Sequence, residues 1–497
     1  MTYQLREYQL EIIQKLEKSL SRTVCIQLPT GCGKSVIAQH EIKKFVLQGK
    51  KVLVLVPNCT LVDNLYRYMT EFATSVYSGI KPNLSKPVMI STYASAKKYR
   101  DIFRPDLVVI DECHHTPTDT ILNIVDNYPR CVVYGFTATV NRPDGIGLDK
   151  VFSELIVSKP ISWFINKGYL ADYSVYIPEK DKITFEMIMS SGEDIMKQLE
   201  MIPLTKDTFN LWKDIVHLPI RGKTIIFNFN IAHSKLVNHY FLRQGITSIH
   251  IDGSFDPQLR KKLLQQYNDG KIQVLNNVNC LSEGVDVVGI DCVILNGFTK
   301  SQIMFMQRIG RGLRPAPGKK LIVIDSGKNF LYHGDIKHKK IWSLETKTKS
   351  KKKRKAGHYY CSFCGSDLGT TSDFWPELLQ KHPEFDEYRT KKVCCNNLTC
   401  DSHGDEFVFN VLTYTKPEKK PSDVIKIDPR LQKYSKLDLE MAELNALLRR
   451  RLQKDTKAQM IVELTIPKEM KKDALAIVYE KENNRELKIK ALLGSNN

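Results

Sequence analysis

Short apolar runs recur along the first two-thirds of the chain, and each is followed by a stretch long enough for a helix. Between residues 24 and 136 the runs are VCIQL, KVLVLVP, VMIST, LVVID and CVVYGF. The rhythm restarts with TIIFN at 224 and continues through TSIHID, IQVLN, CVILN and LIVID. Continuous apolar runs of this kind predict buried parallel strands in β–α–β units. The pattern therefore predicts two α/β domains, with a boundary near NKGYLADY (166–173).

The strand rhythm stops after Asp325, and the rest of the chain differs in character. The run TKTKSKKKRKAG (346–357) has seven basic residues and no acid, which fits a solvated linker, a tether on phosphates or a nuclear import signal. In the Lys/Glu-rich end, apolar residues three or four apart predict a helix that packs on its own protein or on a partner. The stripe consists of Leu437, Met441, Leu444, Leu448 and Leu452. The predicted units are two α/β domains (1–168, 169–340), a basic linker (341–357), a cysteine-rich module (358–412) and a charged, mainly helical region (413–497).

Composition and charge limit the class of protein and its partners. The 497 residues exceed a single core, and 42% hydrophobic and 26% charged residues are typical of a soluble globular protein. No apolar run reaches the roughly 18–20 residues that cross a bilayer, and no signal peptide is evident, so we expect no membrane partner and an intracellular protein, nuclear in a eukaryotic host. The net charge of +19 favours a polyanion partner such as nucleic acid.

A glycine-containing loop directly follows the first predicted strand. In LPTGCGKS (28–35), the glycines and the turn at Thr30 allow successive N–H groups to point at phosphate oxygens, at the start of a helix. Lys34 would neutralise the β- and γ-phosphates, and the Ser35 hydroxyl would ligate Mg²⁺. Leu28 replaces the first glycine of the usual spacing, and a chance glycine turn is the alternative.

The segment LVVIDECHHTP (107–117) contains every common type of zinc ligand within a few residues. Because ligand sites lie at the carboxyl ends of parallel strands, Asp111 should instead converge with Lys34 and hold Mg²⁺. Glu112 suits the general base that orients water on the γ-phosphate. Cys113 and the histidine after it would point oppositely on an extended chain, which disfavours a zinc site. Ordinary loop residues are the remaining alternative.

Nine segments in order resemble the motifs of the superfamily 2 helicases, over roughly residues 1–330. They are LREYQLEII, PTGCGKS, VLVPNCTLVDN, ISTYAS, DECH, FTATVNRPDG, KTIIFNFNIAHS, CLSEGVDVVGIDCVIL and MQRIGRGLRP. The DECH box places the chain near the DEAD/DEAH-type members. FTATVNRPDG and EGVDV are similar to the branch of DNA-repair translocases, phage helicases and restriction motor subunits of type III. Val140 and Ser282 depart from that branch, where Pro and Thr are usual.

The resemblance implies two tandem RecA-like domains that bind ATP and Mg²⁺ and contact nucleic acid without reading its sequence. It implies catalytic roles for Lys34, Asp111, Glu112, Gln307, Arg311 and Arg314. It implies nucleotide binding by Arg6, Gln9, Thr30, Gly31, Cys32, Gly33, Lys34, Ser35, Gly284 and Asp286. His114, Thr137 and Thr139 would couple hydrolysis to motion. Pro57, Asn58, Thr60, Thr92, Asn228 and Ser282 would contact nucleic acid, although a lone Thr after a strand often caps a helix.

The segment MQRIGRGLRP carries arginines at a regular spacing. Arg308, Arg311 and Arg314 are three apart, which on a helix stacks them along one face. An exposed basic helix face is one interpretation. The glycines at 310 and 312 are costly in a helix unless close approach is needed. In the resemblance, Arg311 and Arg314 cross the domain cleft to the γ-phosphate as arginine fingers.

Cysteines cluster between residues 361 and 400. Two short-spaced pairs about thirty residues apart fit a structural zinc site. The predicted ligands are Cys361, Cys364, Cys395 and Cys400, with Cys394 or His403 as substitutes. Reduced buried thiols are the alternative.

Together these patterns predict an ATP-dependent helicase or translocase that acts on single-stranded, duplex, forked or branched DNA in replication or repair. An RNA helicase is the alternative enzyme, because such motifs contact only the backbone. A third possibility is the ATPase motor subunit of a restriction or replication complex with protein partners. A clamp with an inactive motor is disfavoured by Lys34, Asp111 and Glu112.

Overall fold

The computed structural model describes residues 4–77, 80–116, 119–142, 145–178, 195–216, 222–281, 287–338 and 340–345, and beyond them the strands at 358–360, 367–370, 380–382, 385–394 and 406–412. The basic run and the predicted helical end lie outside these ranges. So do Ser282, Gly284 and Asp286 of the segment CLSEGVDVVGIDCVIL, and the predicted zinc ligands Cys361, Cys364, Cys395, Cys400 and His403. The alternate ligand Cys394 is the last residue of the strand 385–394.

The first domain contains a seven-stranded sheet in which every pair of neighbouring strands is parallel. Its strands are β1 Thr23–Gln27, β2 Val52–Val56, β3 Ala73–Val76, β4 Val88–Thr92, β5 Leu107–Asp111, β6 Val132–Thr137 and β7 Glu154–Val157. They lie in the order β3-β4-β2-β5-β6-β1-β7. The helices are α1 Glu7–Lys18, α2 Lys34–Leu47, α3 Cys59–Tyr66, α4 Tyr93–Ala96, α5 Asp119–Asn127 and α6 Ile161–Asn166. This order places β1 and β5 on either side of β6, so the loops after them converge.

The continuous apolar runs are explained by burial on both faces of the sheet. All five residues of β2 are buried. Val52, Val54 and Val56 belong to one apolar cluster, whereas Leu53 and Leu55 belong to another. Successive side chains of a strand point to opposite faces, so helices must cover both.

The second domain also contains parallel strands that alternate with helices. Its strands are β8 Asp172–Pro178, β9 Lys223–Phe227, β10 Ser248–Ile251, β11 Val274–Asn277, β12 Ile290–Leu295 and β13 Lys320–Ile324. Its helices are α7 Ile195–Ile215, α8 Ile231–Arg243, α9 Pro257–Asn268, α10 Gln302–Gly310 and α11 Asn329–His333. The strands lie in the order β10-β11-β9-β12-β13-β8 and are parallel.

Strands from the cysteine-rich segment continue this second sheet. They are β16 Gln380–His382, β17 Phe385–Cys394 and β18 Glu406–Leu412, and β18 pairs in parallel with β8. β17 and β18 form an antiparallel pair, as do β16 and β17. The strands β14 His358–Tyr360 and β15 Asp367–Thr370 form a separate antiparallel pair.

A segment after the second domain crosses back to the first. The N–H groups of Leu148 and Asp149 both donate to the carbonyl of Leu344, at 2.7 and 3.1 Å. The side chains of Trp342 and Leu344 pack on the apolar cluster of the first domain that includes Leu53 and Leu55. The segment 340–345 therefore lies against the first domain.

One local prediction is wrong. The chain is not extended at Cys113 and His114, because Cys113–His115 form a single turn of 3₁₀ helix. Cys113 is buried, with its Sγ 3.7 Å from the Sγ of Cys25. Within the described part of the chain, no group of three or more His, Cys, Asp and Glu side chains is placed to hold a metal ion. Among the same residues, no helix is both long and apolar enough to cross a membrane.

Candidate active site

The glycine-containing loop lies between the end of β1 and the start of α2. Gly31 and Gly33 have φ values of +86° and +81°, in the left-handed region that glycine tolerates best. A Cβ at Gly33 would lie 2.5 Å from Nε2 of Gln9, so the position also lacks space for a side chain. α2 begins at Lys34 with no acidic residue in its first turn. The loop therefore presents N–H groups and the positive end of a helix, which suit an anion.

Helix α1 supports this loop from the side. The hydroxyl of Tyr8 donates to the carbonyl of Cys32 at 2.8 Å. Gln9 is buried, and its Oε1 accepts from the N–H of Arg6 at 2.9 Å, which caps α1. The guanidinium of Arg6 lies 4.9 Å from the ring centroid of Tyr169. Arg6 and Tyr169 thus form a cation–π pair beside the loop, whereas Tyr8 joins the helix to the loop.

The two predicted carboxylates meet the loop lysine. Nζ of Lys34 lies 3.7 Å from Oε1 of Glu112, and both side chains are largely buried. Asp111 ends β5, and its Oδ1 accepts from the N–H of Glu112 at 3.0 Å. Burial, reinforced by the Glu112 carboxylate and opposed by Lys34, raises the pKa of Asp111 to about 6. Lys34, Ser35 and Asp111 line one small cavity. The Ser35 hydroxyl and the Asp111 carboxylate offer oxygens, the ligands that Mg²⁺ prefers, so these two residues fit the ion.

A strained turn connects the carboxylates to the end of β6. Glu112 has φ +49°, a left-handed value that a non-glycine residue adopts only when its surroundings enforce it. His114 Nδ1 lies 3.3 Å from Oε2 of Glu112 and 3.0 Å from Oγ1 of Thr137. The Thr137 hydroxyl donates to the carbonyl of Thr139 at 2.8 Å. The predicted coupling residues therefore form a continuous polar path that starts at Glu112.

Arg142 fixes the backbone of this turn. Its Nη1 donates to the carbonyls of His114 and Thr116, at 2.8 and 2.7 Å. Tyr93 adds a hydrogen bond from its hydroxyl to the carbonyl of Asp111. These contacts hold Asp111 and Glu112 in place from two directions.

Helix α10 carries the arginine segment of the second domain. It ends at Gly310, so Arg308, Arg311 and Arg314 do not share one helix face as the spacing predicted. Arg308 is buried, donates from Nη2 to Oδ1 of Asn279 at 3.0 Å, and lies 5.4 Å from the ring centroid of Phe227. Burial lowers the pKa of Arg308 to about 10. Arg308 therefore stabilises its own domain.

The other residues of the segment differ in their burial and in their contacts within the second domain. Gln307 is buried, and Arg311 is half-buried at the end of α10. Nη1 of Arg314 donates to the carbonyl of Val287 at 3.1 Å. Arg311 is thus the predicted arginine finger whose backbone lies nearest to the interdomain contact at Gly310.

The two domains touch at the glycine-containing loop between β1 and α2, which we call the nucleotide loop after the binding that the resemblance implies. A Cβ at Gly310 would lie 2.7 Å from Cβ of Thr30, which belongs to the first domain. A Cβ at Gly312 would instead meet Leu321 of its own domain at 2.5 Å. Close approach therefore accounts for both glycines, as the sequence indicated, but only Gly310 serves the contact between domains.

The predicted nucleic-acid residues follow strands in both domains. Asn58 caps α3 by accepting from the N–H of Leu61 at 3.0 Å, and Thr92 caps α4 by accepting from the N–H of Ser95. Thr60 is exposed and Pro57 is half-exposed at the same edge. Asn228, in contrast, is 1% exposed. Its amide is hydrogen-bonded to Ser234, Asn276, Asn277 and Asn296, so it supports this edge rather than presenting a free group.

Two family models match the chain on either side of the interdomain contact. The model described as "Type III restriction enzyme, res subunit" matches residues 2–142, and "Helicase conserved C-terminal domain" matches residues 207–316. The first match includes the nucleotide loop and both carboxylates, and the second includes α10. The chain belongs to the superfamily 2 helicases. The resemblance drawn from the motifs is confirmed.

Several curated proteins share this helicase region. A 51.5 kDa protein of a Lactococcus phage is 31% identical over 314 residues, which cover 62% of this chain and 66% of the phage protein. The ATP-dependent DNA helicase uvsW of phage T4 is 22% identical over 336 residues, covering 62% of this chain and 65% of that protein. The DNA 3'-5' translocase XPB2 of Sulfurisphaera tokodaii is 22% identical over 362 residues, covering 64% and 81%. The chain spans between about half and two thirds of the length of the first curated relatives it matches.

A solved structure shows the same architecture. The fragment of a proposed HsdR subunit of a type I restriction enzyme from Vibrio vulnificus superposes with a TM-score of 0.53 at 22% identity, over 66% of each chain. This likeness shows the fold of the helicase region. It confirms the prediction of two tandem RecA-like parallel-sheet domains.

Some residues of the site escaped the sequence analysis. Tyr8, Tyr93 and Arg142 act through hydrogen bonds to backbone carbonyls of the loop and turn. A backbone partner leaves no pattern in the sequence, so these roles require the fold. All three residues lie within quoted segments, LREYQLEII, ISTYAS and FTATVNRPDG, and that position was the available signal.

Substituting the two glycines of the arginine segment should separate domain contact from domain stability. Gly310→Val should hinder the approach of α10 to Thr30 by about 1–3 kcal/mol, and so slow ATP hydrolysis roughly 5- to 150-fold. Gly312→Val should instead clash with Leu321 and lower the melting temperature of the second domain. Parallel measurement of ATPase rate and melting temperature checks both. Equal loss of melting temperature in the two variants would contradict the assignment of Gly310 to the interdomain contact.

Proposed function

We propose that this chain is an ATP-driven helicase or translocase that moves along DNA and separates or remodels duplex, forked or branched substrates. The observation that carries the proposal is the meeting of both domains at the nucleotide loop. Lys34 and Glu112 lie 3.7 Å apart in the first domain, and Gly310 of the second domain packs on Thr30 of the same loop. ATP bound to the loop would contact both domains.

The side chains at the loop divide the work of hydrolysis. The Lys34 ammonium offsets the charge of the β- and γ-phosphates. Glu112 accepts a proton from the attacking water on its carboxylate and so raises the nucleophilicity of that water. Asp111 and Ser35 would hold Mg²⁺, which supplies positive charge against the phosphate oxygens. Arg6 and Gln9 border the loop where the base of the nucleotide would lie.

ATP hydrolysis would be coupled to movement along nucleic acid by two routes. Within the first domain, the polar path from Glu112 through His114 to Thr137 and Thr139 would connect a change at the Glu112 carboxylate to the end of β6. Between domains, Arg311 would stabilise charge that develops on the γ-phosphate, so hydrolysis requires a closed cleft. Opening after hydrolysis would complete the stroke that moves the protein along nucleic acid.

DNA is the proposed partner, and RNA is the second candidate. The net charge of +19 and the exposed polar groups at Thr60 support contact with a phosphate backbone without sequence reading. The curated relatives uvsW and XPB2 are named for action on DNA. A third candidate is a motor subunit that serves a partner protein. Measurement of strand displacement distinguishes this candidate from a helicase.

The test is an ATPase assay on the full chain with single-stranded, duplex, forked and four-way DNA and with RNA, alongside strand displacement. We expect DNA to stimulate hydrolysis and a forked or branched substrate to be unwound. Stimulation by RNA alone would assign an RNA helicase. Stimulation by DNA without strand displacement would assign a translocase or motor subunit. Hydrolysis that no nucleic acid stimulates would contradict the proposal.

We further propose a structural zinc site built from Cys361, Cys364, Cys395 and Cys400, supported by their spacing alone. Purified protein should contain one zinc per chain, and Cys361→Ser should lose it while keeping most of its ATPase activity. Cys59→Ser is the matched control, since Cys59 is an exposed free cysteine of the first domain. Elemental analysis that finds no zinc in the unmodified protein would refute this site.

A further inference from the structure

A chain of hydrogen-bonded polar side chains runs through the interior of the second domain. It joins the ends of β9, β10 and β12 to the first turn of α8, and the proposed hydrolysis step uses none of its members. All five are buried: Asn228, Ser234, His250, Asp252 and Asn296. Because apolar side chains could fill the same space without matched donors and acceptors, the network points to a demand for fixed geometry.

The direction of each hydrogen bond follows from the carboxylate at one end. Nε2 of His250 lies 3.0 Å from Oδ2 of Asp252, which only accepts when ionised, so the imidazole proton is on Nε2. Nδ1 of His250 therefore accepts from the hydroxyl of Ser234 at 2.7 Å. The Ser234 oxygen accepts from Nδ2 of Asn228 at 3.2 Å. Oδ1 of Asn228 accepts from Nδ2 of Asn296 at 3.0 Å, so one set of proton positions satisfies the whole chain.

The ionisation states agree with this direction. Burial lowers the pKa of His250, which leaves the ring neutral near physiological pH. Burial opposes ionisation of Asp252, but hydrogen bonds from His250 and Ser254 outweigh it and lower the pKa of that carboxyl. Asp252 is therefore the charged end of the chain.

Ser, His and Asp also form the catalytic triad of many hydrolases, but these three cannot act in that way. Ser234 is fully buried on α8, so no substrate can reach its hydroxyl. The chain holds parts of the domain in place and performs no chemistry of its own.

The Asp252 end of this chain of hydrogen-bonded side chains reaches the surface at the carboxyl edge of the sheet. Oδ1 of Asp252 accepts from the N–H of Ser254 at 2.8 Å and also from its hydroxyl. Gly253 and Ser254 are exposed, and the space around Gly253 is open. A phosphodiester backbone can therefore approach the turn closely.

The other end of the chain lies beside α10. Asn296 precedes Gly297, whose carbonyl accepts from Nη1 of Arg308 at 3.5 Å and from Nδ2 of Asn329 at 3.0 Å. Arg308 is three residues before Arg311 in the sequence. The polar chain thus spans the domain from an exposed turn to the helix that carries the proposed arginine finger.

We propose that Ser234, His250 and Asp252 are positioning residues that fix the turn at Gly253 and Ser254 relative to α10. Nucleic-acid backbone held at this turn then aligns Arg311 for hydrolysis in the first domain. This inference rests on the proposed function, because it explains how nucleic acid stimulates the ATPase.

The experiment compares Ser234→Ala and His250→Leu with the unmodified full chain, using the DNA that stimulates hydrolysis best. Each variant removes one member of the polar chain and with it two hydrogen bonds. The ratio of DNA-stimulated to DNA-free hydrolysis should fall roughly 5- to 150-fold, the usual range of coupling between two sites. The DNA concentration for half-maximal stimulation should rise. His250→Gln keeps one donor and one acceptor and should restore most of the ratio.

Thr224→Val is the matched control for a lost buried hydrogen bond. Thr224 is fully buried on β9, and its hydroxyl accepts from Nε1 of Trp212 at 2.9 Å. Neither Thr224 nor Trp212 is a member of the polar chain, so Thr224→Val should lower the melting temperature while the stimulation ratio stays unchanged. If Ser234→Ala and His250→Leu give the same ratio as Thr224→Val, the inference is overturned. If DNA fails to stimulate the unmodified protein, the proposed function itself fails.

Discussion

Glu112→Gln should give a protein that binds ATP but hydrolyses it roughly 10²–10⁴-fold more slowly, the usual contribution of a general base. Glu112 is the carboxylate nearest to Lys34, with 3.7 Å between Oε1 and Nζ. Glutamine keeps the size and polarity of the side chain but cannot accept the proton of the attacking water. Single-turnover hydrolysis and nucleotide-binding titrations on the same preparation measure the two properties separately.

A matched control removes another Glu–Lys pair of the same domain. Glu17 accepts from Nζ of Lys44 at 2.8 Å on the surface, away from the nucleotide loop. Glu17→Gln should leave the hydrolysis rate unchanged. Full turnover in Glu112→Gln would refute the role of general base, and loss of ATP binding would show that Glu112 instead holds Lys34 and the loop in place.

Strands were predictable where both faces of the sheet are covered. In β2 and β5 every residue or nearly every residue is buried, so the sequence reads as a continuous apolar run. β7 and β8 were missed for the opposite reason. β7 has a single buried residue, and β8 alternates buried and half-buried positions between Asp172 and Pro178, so neither gives a continuous run.

The site was predictable to the extent that its chemistry is local in sequence. The nucleotide loop and the adjacent Asp111 and Glu112 each lie within one short segment, and strand-end geometry brings them together. The positioning chain was not predictable, because Ser234 and His250 belong to different elements and meet only when α8 packs on the sheet. Asn228 follows a strand, as expected of a contact residue, but packing turns its side chain inward.

The spacing alone could not rank the three arginines of the segment that ends α10, and the resemblance left both Arg311 and Arg314 as arginine fingers. The three-residue spacing does not distinguish Arg308, Arg311 and Arg314 from one another. In the structure, Arg308 is bound to Asn279 within its own domain, and Arg314 donates to a carbonyl of that domain. Arg311 directly follows the glycine that touches the nucleotide loop, which distinguishes it from the other two.

Arg311→Ala should therefore reduce the maximal rate of ATP hydrolysis roughly 10³–10⁵-fold, the range associated with an arginine finger. The loss should appear in kcat, because the guanidinium meets charge that develops in the transition state. Arg311→Lys should recover only part of the rate, since an ammonium lacks the planar fork of donors.

Two other arginines of the second domain make this prediction specific. Arg308→Ala should chiefly lower the melting temperature, because the buried Arg308 side chain packs on the ring of Phe227 and this packing would be lost. Arg243 is exposed near the end of α8, and Arg243→Ala should change neither property. If Arg311→Ala keeps more than about a tenth of the rate, below the effect of an arginine finger, the finger is another residue, and Arg314 becomes the first candidate. If Arg311→Ala loses stability as Arg308→Ala does, the arginine holds the domain together, and the closed cleft would need another source of charge.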